Sequence, residues 1–437
     1  MVYVIADDLT GGNATGVMMV KKGFETFTVI PGADRPLSDL SRYDCIIYPT
    51  DSRGKAAEDA YDAVLSAARQ IDINAVGLYS KRIDSTLRGN LGSETDALLD
   101  HLGGAYTALA VPAFPAAGRT MTEGHLSVNG IPLHRTSAAR DPKNPVTASR
   151  PDRLMALQSK YPCASVYLDD IKKGPERLGR QIGKLAEQGA RIIIFDAVND
   201  DHIETIARAA FLSGRPFAAV DPGPFTAALA ARIKPHKPKL HAVKRSPDTS
   251  PLKSLAVIGS VNSVAAAQVD KLNCSGRAYT AYIDTAPLME GGVSRDGEIA
   301  RVCADILKNG AGSAINCVVS CGVDPDRRVP FEPYMQRLGV TAEELSLSIN
   351  AAIGSIAKKL LGSGAYGRIF TSGGDITVAV CRSLGANGLR LVDEIVPLAA
   401  YATLAGGAFD GLAIITKGGM VGDENTLMVC LDYNRTS

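Results

Sequence analysis

The sequence has no tryptophan, few other aromatic residues and no excess of charge of either sign. Its 47 basic side chains are balanced by 46 acidic ones, which leaves a formal net charge of +1. This balance argues against a chain-wide electrostatic field for nucleic acid or an anionic membrane. No stretch approaches the roughly 18–20 uninterrupted apolar residues that a membrane-spanning helix requires. We therefore expect neither nucleic acid nor a membrane as a partner.

Paired cysteines are also missing. The eight cysteines are scattered and form no CxxC pair, and Cys317 and Cys321 lie on a strand-like segment, INCVVSCG, with no histidine nearby. Reduced, buried thiols account for this pattern better than a metal site or a disulfide framework. The six histidines show no HExxH or HxH spacing, and Met1 leads straight into VYVIA without a secretion signal. We predict a cytoplasmic protein and leave any metal ligands unassigned.

Several catalytic motifs are absent. The sequence contains no GxxxxGK[ST] loop, no HRD or DFG kinase motif and no GxSxG turn. A GxGxxG pattern occurs at Gly362, Gly364 and Gly367, but it follows a helical segment and precedes a strand. The dinucleotide-binding fingerprint requires the reverse order. These observations disfavour P-loop enzymes, protein kinases, hydrolases with a nucleophile elbow and nicotinamide-dependent oxidoreductases.

The sequence does contain a regular alternation of β-branched runs and helical patterns, which is typical of parallel βαβ layers. Its 437 residues exceed the roughly 250–300 at which a single core stops growing. We predict an α/β fold with two domains, 1–231 and 254–437, each a mainly parallel sheet flanked by helices. Whether the second sheet is wholly parallel stays open. The segment 232–253 carries seven Lys or Arg and four prolines, which is typical of a connector.

Charged side chains follow three predicted strands of the first domain. VYVIA ends in Asp7 and Asp8, CIIYPT is followed by Arg53, and AVGLYS is followed by the run Lys81–Asp84. Ligands gather at the carboxyl ends of strands in open α/β sheets, and this mixture of cations, carboxylates and hydroxyls suits a small polyhydroxy acid. The competing interpretations are a turn-and-cap pair at Asp7 and Asp8 and solvated loops elsewhere.

A Pro- and Gly-rich insertion over 114–150 interrupts the alternation, and we expect it to be a long loop. It contains Arg119 within VPAFPAAGRTMTEGH. This arginine could bind phosphate as a clamp or lie on a rigid surface loop. The sequence does not decide between the two.

Glycine-rich turns at strand-to-helix junctions mark the second domain. Free backbone N–H groups and the helix dipole attract anions at such junctions. A single turn of this kind is a weak signal, but several in one α/β domain favour a nucleotide site. The residues concerned are Ser260, Thr371, Ser372, Gly373, Gly374, Asp375, Gly406, Gly407 and Lys417.

Ordered motifs along almost the whole chain resemble the four-carbon acid sugar kinase family. They are VIADDLTGGNATG, YSKRIDSTLRGNLGSE, VPAFPAAGRTMTEGH, NGIPLHRTSAARDPKNPV, TSGGDI and ITKGGMVGDENTL. The resemblance implies ATP-dependent phosphorylation of the terminal hydroxyl of a tetronic acid. It also implies a sugar-acid-binding first domain, a nucleotide-binding second domain and an active site in the cleft between them. The segment NGIPLHRTSAARDPKNPV is most similar to the D-threonate kinase branch, with D-erythronate and 3-oxo-tetronate kinases as alternatives.

Roles for individual residues follow from this resemblance. Asp8 is the expected group that orients or deprotonates the attacking hydroxyl, with Asp84 in reserve. The expected partners are a sugar acid and ATP, Mg²⁺ is expected to accompany the ATP, and homo-oligomerisation stays open. The expected acid-binding residues are Asp8, Arg53, Lys81, Arg82, Ile83 and Asp84, and the expected ATP-binding residues are Ser260, Thr371, Ser372, Gly373, Gly374, Asp375, Gly406, Gly407 and Lys417.

One segment departs from the family pattern. Many relatives have a Gly-Ser/Ala-Gly-Leu sequence where this chain has Asp221-Pro222-Gly223-Pro224-Phe225. Because this segment ends the last predicted strand of the first domain, a side chain here could reshape the substrate pocket. The alternative from another functional class is a non-catalytic sugar-acid sensor built from two α/β lobes. The absence of a secretion signal and the nucleotide-like glycine turns count against that alternative.

Overall fold

The computed structural model describes residues 1–32, 40–141, 144–233 and 252–433. These residues form two compact units, one from 1–31 and 40–233 and the other mainly from 252–433. Most of the predicted connector lies outside the described residues, so the domain boundaries stay predictions. The predicted position of the active site between the two domains also stays a prediction.

The first unit alternates strands and helices as predicted. Its strands are β1 (Val2–Ala6), β2 (Thr26–Val29), β3 (Cys45–Pro49), β4 (Leu78–Arg82), β5 (Thr107–Ala110), β6 (Arg119–Thr122), β7 (His125–Val128), β8 (Ile131–Pro132), β9 (Cys163–Val166), β10 (Ile192–Phe195) and β11 (Phe217–Asp221). Its α-helices are α1 (Leu9–Lys21), α2 (Ala57–Ala68), α3 (Leu91–Leu102), α4 (Pro151–Ala156), α5 (Leu168–Ile171), α6 (Pro175–Glu187), α7 (Asp200–Leu212) and α8 (Pro224–Ala230).

Eight of these strands form a sheet in which every neighbouring pair is parallel, in the order β2-β3-β1-β4-β11-β5-β10-β9. All five residues of β1 are buried, as expected for a strand covered by helices on both faces. The chain passes from β1 to β2 and β3 on one side and then crosses to β4 on the other. β1 therefore lies at a topological switch point, where open α/β sheets bind ligands.

The insertion over 114–150 is not the structureless loop that we expected. It contains a three-stranded antiparallel sheet, β6-β7-β8. Two-residue turns connect its strands, with φ of 50° at Glu123, 74° at Gly124, 51° at Asn129 and 79° at Gly130. Positive φ at both turn residues is typical of tight hairpins, and Asn-Gly is a strong sequence signal for one. The Asn-Gly pair was therefore the clue to this sheet.

The second unit is also α/β. Its strands are β12 (Lys253–Ile258), β13 (Ala278–Ile283), β14 (Ile315–Ser320), β15 (Tyr366–Ser372), β16 (Gly388–Val396), β17 (Ala399–Ala405) and β18 (Ala413–Lys417). Its α-helices are α9 (Ser263–Cys274), α10 (Thr285–Glu290), α11 (Gly292–Asn309), α12 (Glu332–Leu338), α13 (Ala342–Leu361), α14 (Gly374–Ser383) and α15 (Thr426–Asp432).

The sheet of this unit has the order β13-β14-β12-β15-β18-β17-β16 and is mainly, not wholly, parallel. β17 runs antiparallel to both β18 and β16. The β16–β17 hairpin turns at Leu398, where φ is 68°. The GxGxxG glycines lie between α13 and β15, with Gly367 already inside the strand, so their context is the reverse of a dinucleotide site.

Six of the eight cysteines are buried, whereas Cys163 is partly exposed and Cys274 is exposed. The prediction of buried thiols is therefore correct for most of them and wrong for Cys274. Among the helices in the described ranges, none combines the length and apolar character needed to cross a membrane.

Candidate functional site

Three neighbouring strands deliver the predicted acid-binding residues to one edge of the first sheet. Ala6, the last residue of β1, is in register with Pro49 of β3 and with Arg82 of β4. Because these strands are parallel, the residues that follow them meet at the same edge. We call Asp7, Asp8, Arg53, Arg82 and Asp84 the carboxyl-edge site.

Asp7 is the buried anchor of this site. Its Oδ2 accepts a hydrogen bond from Nε of Arg53 at 2.7 Å, and its Oδ1 accepts one from Nη1 of Arg82 at 2.8 Å. Burial opposes ionisation of Asp7, but the charges of Arg53, Arg82 and Lys81 outweigh it and lower the pKa of the carboxyl. Asp7 therefore orients two guanidinium groups from a buried position, which is a structural role.

Asp8 is the N-cap of α1 and also the more accessible of the two carboxylates. Its Oδ1 accepts hydrogen bonds from the backbone N–H of Gly11 at 2.9 Å and from Nη1 of Arg82 at 3.0 Å, and forms an ion pair with Nη2 of Arg53 at 2.8 Å. Its side chain is 24% exposed, compared with 3% for Asp7. Oδ2 accepts no hydrogen bond from the described residues. Asp8 therefore caps α1 and is also accessible to solvent. The sequence analysis had left a capping role and a role in the site as competing interpretations.

A glycine allows this arrangement. A Cβ built on Gly11 would lie 1.7 Å from Nη1 of Arg82, so any side chain at this position would displace the guanidinium group. The guanidinium can lie against α1 and contact both Asp7 and Asp8 only because residue 11 has no side chain.

Asp84, the predicted reserve base, is saturated by cations. Its Oδ2 accepts from Nε of Arg88 at 2.9 Å and from the backbone N–H of Thr86 at 3.1 Å, and its Oδ1 lies 3.0 Å from Nη2 of Arg88 and 3.4 Å from Nη2 of Arg53. Burial opposes ionisation, but Arg53 and Arg88 outweigh it and hold the pKa of Asp84 well below its usual range. Nη1 of Arg88 also binds Asp141 at 3.0 Å, which ties the insertion to this edge.

Lys81 and Ile83 do not present side chains to solvent. Nζ of Lys81 forms a 2.6 Å ion pair with Oε2 of Glu94, and the other oxygen of Glu94 accepts from Oγ of Ser52 at 2.7 Å. Ile83 is 1% exposed and belongs to the hydrophobic core. Both side chains therefore pack inside the protein and stabilise the strand end that carries the carboxyl-edge site. Glu94 ends the motif YSKRIDSTLRGNLGSE, but its pairing with Lys81 was not predicted, because Glu94 lies within α3 and its buried face is evident only from the packing.

The Asp221 segment does not project a carboxylate toward the edge. Asp221 is buried, and its Oδ2 accepts from the backbone N–H groups of Gly223, Phe225 and Thr226 at 2.8, 2.8 and 3.1 Å. Burial raises the pKa of Asp221. The carboxylate therefore secures the start of α8, a structural role that the prediction of a reshaped pocket did not include.

In the second unit, the neighbouring ends of β12, β15 and β18 bring part of the predicted nucleotide residues together. Ser372 is in register with Ile258 and with Lys417. A Cβ on Gly419 would lie 2.1 Å from Oγ of Ser260, so Gly419 must be glycine for the two turns to approach. We call Ser260, Ser372–Asp375 and Gly418–Gly419 the glycine-rich edge.

The start of α14 is suited to an anion. Gly373 precedes the helix with φ of 109°, and Oγ of the buried Ser372 has no hydrogen-bond partner among the described residues. Thr371, by contrast, uses its hydroxyl within the protein, 2.8 Å from the hydroxyl of Thr377. An orphaned hydroxyl beside free helix N–H groups is the arrangement that phosphate oxygens can satisfy. Asp375 lies exposed on the first turn of α14.

Lys417 is buried beneath this edge. Its Nζ donates to the carbonyl oxygens of Gly418 at 2.9 Å and Val421 at 3.2 Å. Burial lowers the pKa of Lys417 to about 8. Lys417 therefore shapes the loop that follows β18, and its ammonium group is engaged with that loop.

The structure does not bring Gly406 and Gly407 to the glycine-rich edge. They follow β17, which is antiparallel to β18, with Ala399 opposite Lys417. The seven residues from Ala399 to Ala405 span roughly 20 Å, so this turn lies at the opposite edge of the sheet. A Cβ on Gly407 would lie 2.5 Å from the carbonyl oxygen of Leu384, just beyond the C-terminal end of α14. We therefore leave both glycines out of the candidate phosphate site.

Within the described ranges, no group of three or more His, Cys, Asp or Glu side chains is arranged to hold a metal ion. No protein ligands are therefore assigned to the Mg²⁺ that was expected to accompany ATP, and no step of the mechanism below depends on it.

Comparison with known proteins assigns a different type of binding domain to each half of the chain. Residues 2–229 match the family model for a sugar-binding N-terminal domain, and 255–427 match that for a nucleotide-binding C-terminal domain. A D-erythronate kinase of Heliobacterium modesticaldum is 41% identical, with 99% of this chain and 96% of that protein covered. A D-threonate kinase of Salmonella typhimurium is 32% identical, with 98% and 97% covered.

A solved structure from Haemophilus influenzae has the same fold, with a TM-score of 0.70 at 24% identity, covering 99% of this chain and 100% of that chain. These findings define the class of the protein, an enzyme that phosphorylates an alcohol group. The chain belongs to the four-carbon acid sugar kinase family, as the sequence motifs predicted.

Proposed function

We propose that the protein transfers the γ-phosphoryl group of ATP to the terminal 4-hydroxyl of a D-tetronate. The first unit binds the acid at the carboxyl-edge site, and the second binds the nucleotide phosphates at the glycine-rich edge. The observation that carries the proposal is the contrast between Asp8 and the other carboxylates of its site. Asp7 and Asp84 have both oxygens engaged, whereas Asp8 keeps Oδ2 available and is 24% exposed.

In this mechanism the substrate hydroxyl donates its hydrogen bond to Oδ2 of Asp8. Arg53 and Arg82 hold the opposite oxygen of Asp8 and fix the direction in which Oδ2 points. Phosphoryl transfer depends mainly on alignment and charge stabilisation, so orienting the attacking hydroxyl is the principal task of the first unit. Asp8 then accepts the proton as the bond to phosphorus forms.

The nucleotide phosphates are proposed to bind at the start of α14. The backbone N–H groups of Gly374 and Asp375 and the hydroxyl of Ser372 would donate to phosphate oxygens there. Asp375 lies on the same turn, and its exposed side chain leaves its backbone N–H as the contact proposed for the phosphates.

Two tetronates are the leading substrates. The 41% identity to a D-erythronate kinase favours D-erythronate, whereas the segment NGIPLHRTSAARDPKNPV favours D-threonate, which was the prediction from sequence. The two acids differ only in the configuration at C2, so a choice between them depends on a few contacts with one hydroxyl group.

A coupled ADP-release assay over D-erythronate, D-threonate, L-threonate and the 3-oxo-tetronates tests the proposal. We expect turnover with one of the two D-tetronates at least tenfold above the other acids. ADP release that no tetronate raises above the ATP-only background would refute the kinase proposal. Turnover limited to a 3-oxo-tetronate would retain the family and overturn the substrate.

A further inference from the structure

The cations of the first unit differ in one respect that bears on substrate recognition. Arg53, Arg82 and Arg88 each form ion pairs with carboxylates of the protein. Lys81 is neutralised by Glu94. These four cations already have protein partners, so the proposed acid must find another positive group for its carboxylate or displace an existing ion pair.

Arg119 is placed to supply that group. It begins β6 and exchanges two backbone hydrogen bonds with Phe114, which follows the carboxyl end of β5, at 2.8 and 3.0 Å. The same strand is joined to the segment after β10, where the backbone N–H of Met121 donates to Ala197 at 2.8 Å. Both attachments lie at the edge of the sheet that carries Asp8 and Asp84, because all of these strands are parallel.

The side chain of Arg119 has few partners. Nη1 donates to the carbonyl oxygen of Ala117, while Nε is buried and has no hydrogen-bond partner in the described parts of the chain. None of the described carboxylates lies within ion-pair distance of it. Burial lowers the pKa of Arg119, while the charge of Asp84 raises it and that of Arg88 lowers it, so Arg119 lies within the electrostatic field of the β4 end.

A half-buried guanidinium with an orphaned donor is costly unless an anion binds it. A planar carboxylate suits the two-donor geometry of arginine. We propose that Arg119 binds the carboxylate of the substrate and is the residue by which the site selects sugar acids over neutral polyols. This inference rests on the proposed function, because it assumes that the ligand of the carboxyl-edge site is a four-carbon acid.

The test compares the preferred tetronate with its neutral amide in the full-length enzyme. For wild type, Arg119→Ala and Arg119→Lys, kcat/KM is measured by ADP release and Kd by calorimetry for both compounds. Loss of a buried charge partner predicts that Arg119→Ala lowers kcat/KM for the acid about 30- to 1000-fold and changes that for the amide less than about threefold. Arg119→Lys should retain part of the preference, because it keeps the charge but not the paired donors.

Arg135→Ala is the matched control, since Arg135 is an exposed arginine of the same insertion. It should leave the acid-to-amide ratio unchanged. An unaltered ratio in Arg119→Ala, or an equal loss for acid and amide, would overturn the inference, because Arg119 would then be irrelevant or merely structural. Thermal melts show whether Arg119→Ala folds. If it does not, Arg119→Lys replaces it: a reduced acid-to-amide ratio would support the inference, and an unaltered ratio or an equal loss for both compounds would overturn it.

Failure of the proposed function is recognised separately. If wild type turns over no tetronate, the kinase proposal fails, and the calorimetric constants alone test the inference. Wild-type binding of the acid but not the amide, lost in Arg119→Ala, would still support it. Binding of neither compound to wild type would overturn it.

Discussion

Nζ of Lys81 lies 2.6 Å from Oε2 of Glu94, and neither side chain has appreciable contact with solvent. Ser52 donates to the second oxygen of Glu94, so the pair joins the end of β3, β4 and α3. Arg53 and Arg82 are the immediate chain neighbours of Ser52 and Lys81. The ion pair therefore fixes the backbone from which the carboxyl-edge site is built.

Glu94→Gln should destabilise the protein by about 3–5 kcal/mol, because it leaves the Lys81 ammonium buried without a counter-charge. Urea unfolding measures the change, and Lys81→Met combined with Glu94→Leu should recover most of the loss. Lys160→Met is the control, because the Lys160–Asp100 ion pair is exposed, with Lys160 57% accessible. It should cost no more than about 1 kcal/mol. A similarly small cost for Glu94→Gln would contradict the role given to the pair.

Acid should destabilise the first unit through Asp84. Burial raises its pKa, but Arg53 and Arg88 lower it by more, so the folded protein holds the ionised form more strongly than the unfolded chain does. This stability is fully present above the ordinary carboxyl pKa of about 4 and is lost as the pH falls toward the lower folded-state value. Asp84→Asn should therefore lower the free energy of unfolding at pH 7 and flatten its decline below about pH 4.

The measurement is urea unfolding at a series of pH values from neutral to acidic. Asp62→Asn, a change at an exposed position of α2, should leave the acid profile of the wild type intact. An acid profile of Asp84→Asn that coincides with that of the wild type would show that other carboxylates control acid stability.

The sequence was sufficient to predict which residues lie at the carboxyl ends of the strands, but not which carboxylate contacts which cation. Asp8, Arg53 and Asp84 follow apolar runs that could only be strands, and parallel strands bring their carboxyl ends to one edge. Which carboxylate contacts which guanidinium depends on strand order, and strand order is a long-range property. Glu94 was missed for this reason, since its partner Lys81 is a strand residue from a separate element.

The misplaced Gly406-Gly407 turn has a related cause. A glycine turn after a strand favours an anion site only if that strand is parallel to its neighbours, because the carboxyl ends then coincide. The reversal at Leu398 makes β17 antiparallel and sends the turn to the other edge. The sequence VPLAAY contains no glycine or Asn-Gly pair to announce a hairpin, so the direction of β17 could not be predicted from it.

Ser372→Ala should weaken ATP binding without weakening the fold. Its hydroxyl is buried without a described partner, so removing it costs the folded protein no hydrogen bond, and the free energy of unfolding should stay constant or rise. Loss of a donor to a phosphate oxygen should raise the KM for ATP about tenfold.

Thr371→Val provides the opposite case. The Thr371 hydroxyl bonds to Thr377 and to the carbonyl oxygen of Ile415, so this change should lower the melting temperature and leave the KM for ATP nearly unchanged. Steady-state kinetics and thermal melts of both variants separate the two roles. A destabilised Ser372→Ala with normal ATP affinity would assign Ser372 to structure and remove it from the phosphate site.

Asp8→Asn tests the central residue of the mechanism. Asparagine is as good an N-cap as aspartate, and its carbonyl oxygen can still accept from the Gly11 N–H, so the helix start is kept. The change removes the charge that faces Arg53 and Arg82, but Asp8 is 24% exposed, so the loss of stability should be smaller than that of Asp7→Asn. The variant lacks the charged oxygen that would take the hydroxyl proton, and kcat should fall roughly 10²–10⁴-fold.

Asp7→Asn is the informative contrast: Asp7 is buried between Arg53 and Arg82, so that change should reduce the free energy of unfolding as well as activity. A normal kcat in Asp8→Asn would exclude Asp8 as the base. A reduced kcat accompanied by a loss of stability as large as that of Asp7→Asn would show that Asp8 acts through the cap and not through the hydroxyl.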